Sequence, residues 1–170
     1  MNPELQKSAA KETLDHVMSL FPRVDTSLSL VFGVDIGMLA LLAANAPSLA
    51  SFQGFMIFAA IPVLLLGCSL WQIYHGVFPR LEGSQRSLIY FREIASRTQS
   101  DFFQEFKTQS DEVYINGVLA QLWANSQILT QKYQHLKQAF IFLAWSLVPW
   151  LVTLGAFAAV QKYATSLLAK

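Results

Sequence analysis

The sequence predicts an all-α membrane protein with three transmembrane helices and a cytoplasmic helical region between the second and third. Apolar runs at 27–46, 54–75 and 139–160 carry that reading. Each is close to the ~20 residues that a helix rising ~1.5 Å per residue needs to cross ~30 Å of hydrocarbon. Asp35 is the only formal charge inside them. Charged residues make up 14% of the chain, well below the roughly 25% of a soluble domain, so the composition points the same way.

The first segment, 1–26, mixes Glu4, Lys7, Lys11, Glu12 and Asp15 and lacks the compact apolar core of a signal peptide. Leu5, Leu14, Val17 and Leu20 fall near one face of a helix, and Pro22 is expected to end it. This amphipathic piece either lies on the membrane surface or packs on the soluble part. The first span holds Asp35 between Gly33 and Gly37. The two glycines have the spacing that lets a second helix backbone approach closely. A carboxylate at that depth costs about 2.5–3.5 kcal/mol on insertion scales, so it faces protein or water. It is either a pore-lining or inter-subunit group, or a protonated acid bonded to a neighbouring helix. We group Gly33, Asp35 and Gly37 as membrane-packing or pore positions.

The connector 47–53 is short and uncharged, so spans 27–46 and 54–75 form a helical hairpin. Cys68 has no second cysteine to pair with and reads as a packed apolar thiol. Pro62 and Pro149 lie within the second and third spans and are kink candidates. The cytoplasmic region, 76–138, opens with a break at Pro79. Gly83-Ser84 is a plausible helix start, with Leu88, Phe91 and Ala95 at helical spacing. A short aromatic piece follows at 102–106. Then Ile115, Leu119, Leu122, Ser126, Leu129, Tyr133, Leu136, Phe140, Leu143 and Leu147 alternate steps of four and three, a heptad seam. No Pro or loop cluster lies between Asp111 and Pro149, so one helix is expected to run from the cytoplasm straight into the bilayer, roughly 60 Å over about 40 residues. The seam packs either within one subunit or between subunits. The tail, 161–170, follows the last span.

Ten of the 12 Lys and Arg residues flank the first span on its N-terminal side or lie between spans two and three. Three crossings put both groups on one side, so the positive-inside tendency places the N-terminus and 76–138 in the cytoplasm and the tail outside. A net charge of +1 gives no footprint for a nucleic-acid partner. No P-loop, metalloprotease, paired-cysteine, dinucleotide or nucleophile-elbow motif occurs. His16, His75 and His135 are far apart in sequence. Neither an enzyme nor a bound cofactor or metal is expected.

The chain resembles the transmembrane effectors of bacterial Pycsar antiphage systems. The resemblance rests on Arg23-Val24-Asp25-Thr26 before the first span and Phe32-Gly33-Val34 within it. It continues in Ser87-Leu88-Ile89-Tyr90-Phe91-Arg92-Glu93-Ile94, and in Leu119-Ala120-Gln121-Leu122-Trp123-Ala124-Asn125-Ser126-Gln127-Ile128-Leu129-Thr130-Gln131-Lys132-Tyr133 entering the last span. It covers roughly residues 23–155 and includes the order of the elements. It implies a multi-pass inner-membrane effector. A partner pyrimidine cyclase makes cyclic CMP or cyclic UMP on phage infection, and the effector responds by damaging the membrane, which aborts the infection. A constitutive small channel and a membrane scaffold are the alternatives.

A cyclic mononucleotide needs a cation for its phosphate, an apolar or aromatic surface for its base and polar groups for the base edge. With that implied ligand, the cytoplasmic region offers Arg80, Arg86, Arg92 and Lys132 for charge, Tyr90 and Trp123 for stacking, and Asn125 and Gln121 for the edge. Lipid and further copies of the chain complete the expected partners.

Overall fold

A computed structural model of the chain describes residues 3–47, 56–78 and 88–168. Among these residues every regular element is a helix: α1 (Pro3–Ala44), α2 (Met56–Val77), α3 (Phe91–Ala95), α4 (Gln99–Thr108) and α5 (Asp111–Leu168). Three of them, α1, α2 and α5, contain stretches long and apolar enough to cross a membrane. The protein is therefore a multi-pass, all-α membrane protein. The chain falls into two compact units, Met1–Val24 with Pro79–Tyr133, and Asp25–Phe78 with Gln134–Lys170.

In the first unit, the starts of α1 and α5 lie side by side and parallel. Lys7 Nζ donates to Asp111 Oδ1 at 3.0 Å, Asn125 Nδ2 donates to Met18 Sδ at 3.1 Å, and the Lys132 ammonium stands 6.0 Å from the centroid of the Phe21 ring. Ala10, Val24, Tyr90, Val118, Ala124 and Leu129 are its buried apolar residues. The short helices are set by their ends. Thr98 caps α4: its Oγ1 accepts the Asp101 N–H at 3.2 Å and donates to the Asp101 carboxylate at 2.7 Å. Ser110 Oγ accepts the Val113 N–H at 3.4 Å, and Asp111 and Glu112 occupy the first turn of α5, where the helix dipole favours negative charge.

In the second unit, α2 runs antiparallel to α5. Ser69 Oγ donates to the Ala139 carbonyl at 3.1 Å, and His135 Nδ1 meets Gln72 Oε1 at 2.9 Å. The later part of α1 is again parallel to α5. Trp150 Nε1 donates to the Met38 carbonyl at 3.0 Å, and Gln161 Nε2 to the Asn45 carbonyl at 3.1 Å. The three helices crowd at Gly76, where a Cβ would meet both His135 Cβ and Leu28 Cδ1 at 3.2 Å. Small side chains and side-chain-to-backbone hydrogen bonds are what membrane helices use to pack, since lipid supplies no hydrophobic drive between them.

One expectation needs correcting. Pro22 does not end the first helix: α1 is continuous for 42 residues. Pro22 removes one hydrogen bond, but it points outward, while Val24 and Leu28 just beyond it are buried at 1% and 0% exposure. Packing of the flanks outweighs the local penalty of about 3 kcal/mol. On α5, the stripe buried within one chain is rotated from the predicted seam, which lies partly exposed on the chain. The buried stripe runs through Val118, Asn125, Leu129, Lys132, Ala139, Leu143, Ser146, Thr153 and Phe157, whereas Leu119, Tyr133, Phe140 and Leu147 are 44–61% exposed. The gaps in the most apolar reading of the helix are filled by polar side chains that have their own partners.

Candidate functional site

The first unit contains a cleft of about 940 Å³ enclosed by the residues just before α3, by α3 and α4, and by the first turns of α5. Its apolar wall is Leu88, Ile89, Val113, Gly117 and Ala120. A Cβ at Gly117 would stand in ordinary contact with Ile89 Cδ1 at 3.4 Å. Polar groups come from Ser96, Thr108, Gln109, Asn116 and the phenol-bearing Tyr114.

Arg97 is the cation among the described residues that line the cleft. It follows the last turn of α3, whose exposed carbonyls attract positive charge. Its Nη1 donates to the Glu93 carbonyl at 3.1 Å, and its Nε meets Glu105 Oε2 of α4 at 3.1 Å. The Arg97 side chain is 13% exposed and that of Glu105 is 52% exposed, so the pair closes the cleft from its rim. Glu93 also lines the cleft. Lys7 Nζ stands 5.3 Å from the centroid of the Tyr114 ring and is tied to Asp111. The hydrogen bond and charge of Asp111 hold the Lys7 ammonium above its ordinary pKa.

The described residues among the candidates named from sequence do not line this cleft. Arg80 and Arg86 lie outside the described residues. Tyr90 is buried just before α3, its ring 5.1 Å from that of Phe91. Arg92 is exposed on α3. On α5, Trp123 is 68% exposed while Asn125 is 7% exposed, because two residues on a helix are turned ~200° from each other. Asn125 accepts from Gln121 Nε2 at 3.1 Å and donates to Met18, so its amide is engaged in packing. Lys132 is buried with its ammonium near Phe21. None of Tyr90, Arg92, Trp123, Asn125 and Lys132 lines the cleft.

Arg97, Glu105, Tyr114 and Asn116 were not singled out from sequence. They come from three elements, and no periodicity links them. The available signal was the Thr98-x-x-Asp101 cap, which turns the chain between Arg97 and Glu105.

In the second unit, Asp35 is fully buried, and neither of its carboxylate oxygens has a hydrogen-bond partner. Ser69 stands beside it but donates to Ala139. Gly33 and Gly37 lie on the opposite face of α1 and are exposed, with nothing within 4 Å of a Cβ built on either. The helix thus separates the acid from the glycine pair. His75 and His135, distant in sequence, have ring centroids 5.9 Å apart. Among the described residues no cluster of His, Cys, Asp and Glu has the makings of a metal site.

A family model described as a Pycsar effector protein domain (PycTM) matches residues 9–159. Neither a curated protein nor a solved structure matches the chain.

Proposed function

The chain belongs to the Pycsar effector (PycTM) family, and from that premise we propose that it senses a cyclic pyrimidine nucleotide and then impairs the inner membrane, aborting infection. The family makes it a transmembrane effector of antiphage defence whose cue is a cyclic nucleotide from a partner cyclase. The finer steps are our reading. The single observation that carries it is the extent of the match, which runs through both compact units, the one with the cleft and the one with the apolar helices.

In this reading the N-terminus and the first unit face the cytoplasm, on the side to which ten of the 12 basic residues are assigned. The ligand is cyclic CMP or cyclic UMP, held in the region 76–138. The effector acts as a homo-oligomer. Support for self-association comes from the stripe of α5 that the chain itself does not cover, Leu119 and Tyr133 in the first unit, and from the open Gly33 and Gly37 in the second.

The test is a leak assay on the purified full-length protein in liposomes, with and without each nucleotide. Leak only with nucleotide is the expected result. Leak without nucleotide would make the protein a constitutive channel. No leak under either condition would leave it a scaffold and sink the proposal.

A further inference from the structure

We propose that the cleft beside α4 is the ligand site, that Arg97 exchanges the Glu105 carboxylate for the ligand's phosphate, and that the cleft selects cytosine over uracil. This rests on the cyclic-nucleotide reading above and gives it a place and a base preference.

The volume of about 940 Å³ is ample for a mononucleotide. The apolar wall and the Tyr114 ring supply the flat surface that a base requires, and stacking on one aromatic side chain is sequence-tolerant. Selectivity must therefore come from the polar rim. Among the described residues, the charged groups of that rim are Glu93, Glu105 and Arg97. The phosphate gains only on contact with the Arg97 guanidinium, which presents a planar fork suited to phosphate oxygens.

Arg97 is already occupied. Its Nε contacts Glu105 at 3.1 Å. A cyclic phosphodiester carries one negative charge, as the carboxylate does, so the exchange is close to neutral in charge pairing. The net affinity then depends on the base. Cytosine presents an exocyclic amino group, a donor that a carboxylate accepts. Uracil presents an oxygen at the same position, whose lone pairs face the carboxylate unfavourably. The neutral amides of Asn116 and Gln109 present either a donor or an acceptor and do not discriminate. The carboxylates of Glu93 and Glu105 decide.

The exchange has a mechanical side within the first unit. No residue of α4 is buried, and the Arg97–Glu105 pair ties its middle to the end of α3. Replacing Glu105 by phosphate releases α4.

The test is calorimetry on the full-length protein in nanodiscs with cyclic CMP, cyclic UMP and inorganic phosphate. Cyclic CMP is expected to bind about tenfold or more tightly than cyclic UMP, the scale of one well-made contact to a base edge, and phosphate alone not detectably. Glu93→Gln should shrink the cyclic CMP to cyclic UMP ratio. Arg97→Ala should weaken both. Glu105→Gln, at an exposed position that tolerates the change, should strengthen both. Equal or preferential binding of cyclic UMP overturns the base assignment. Cyclic-nucleotide binding that is unchanged in Arg97→Ala and in Glu105→Gln overturns the site while leaving the sensing function standing. Binding of neither nucleotide to the wild type overturns the sensing function itself.

Discussion

Arg97 and Glu105 face each other at 3.1 Å across the turn capped by Thr98, joining the end of α3 to the middle of α4. The contact is half exposed on the glutamate side, and such pairs contribute roughly 0–1 kcal/mol. Glu105→Gln is therefore expected to leave the melting temperature of the purified protein nearly unchanged. Limited proteolysis should nevertheless cut the 99–108 segment faster. Unchanged cleavage would mean that α4 is held by something other than this pair.

Asn125 illustrates a buried polar group that is costly to disturb. It links Gln121 and Met18 and is 7% exposed. Asn125→Ala leaves the Gln121 amide without its partner, and Gln121 Oε1 already lacks one. A loss of about 1–3 kcal/mol in unfolding free energy is expected, measured by denaturant titration in detergent. A loss below ~0.5 kcal/mol would mean that the network is solvated.

Self-association can be separated from folding on α5. Leu129 is 7% exposed and Leu119 is 46% exposed. Leu129→Asp should destabilise the monomer by several kcal/mol, on the order of burying an unpaired charge. Leu119→Asp should fold normally and lose crosslinked oligomers in native membranes. Gly33→Leu, where a new side chain meets nothing within 4 Å, should also fold and insert. Oligomers that persist in Leu119→Asp would move the interface to another face.

Asp35 is fully buried without a hydrogen-bond partner for either oxygen. Asp35→Asn removes the risk of a buried charge while keeping the shape. It is expected to insert as efficiently and melt at an equal or higher temperature. A fall of several degrees would show that the carboxyl is paired in the assembled protein.

Lys7 gives a pH test. Its pKa in the fold is raised by Asp111. The stabilisation is therefore fully present below the unfolded-state value, near ~10.4, and is lost as pH rises through the folded-state value. The melting difference between wild type and Lys7→Met should narrow over that alkaline window and also with added salt. A difference that widens as pH rises would contradict the pairing.

The three spans were legible because length and hydropathy alone distinguish a membrane helix. Pro22 misled because a local penalty was read without the packing that offsets it. On α5, the stripe buried within the chain has the period of the predicted seam but sits at another angle. Leu122, Leu129, Leu136 and Leu143 belong equally to two adjacent stripes, and only the position of α1 decides between Leu119 and Asn125. Hydropathy favours the leucine, while the fold buries the asparagine and gives it Gln121 and Met18 as partners. The cleft was illegible for a different reason. Arg97, Glu105 and Tyr114 are brought together by two turns, and side chains separated by turns leave no periodic trace.

The parallel pairing of α1 with α5 sets a timetable for synthesis. The contacts that tie them join residues 104 to 116 positions apart in the chain. At roughly 5–20 residues per second, the apolar stripe of α1 waits on the order of 5–20 s at the ribosome before its partner exists. During that interval α1 and α2 can enter the membrane as a pair, but the first unit lacks the helix that completes it. A chain interrupted before Asp111 would carry the first two spans without the helix that contributes to both units.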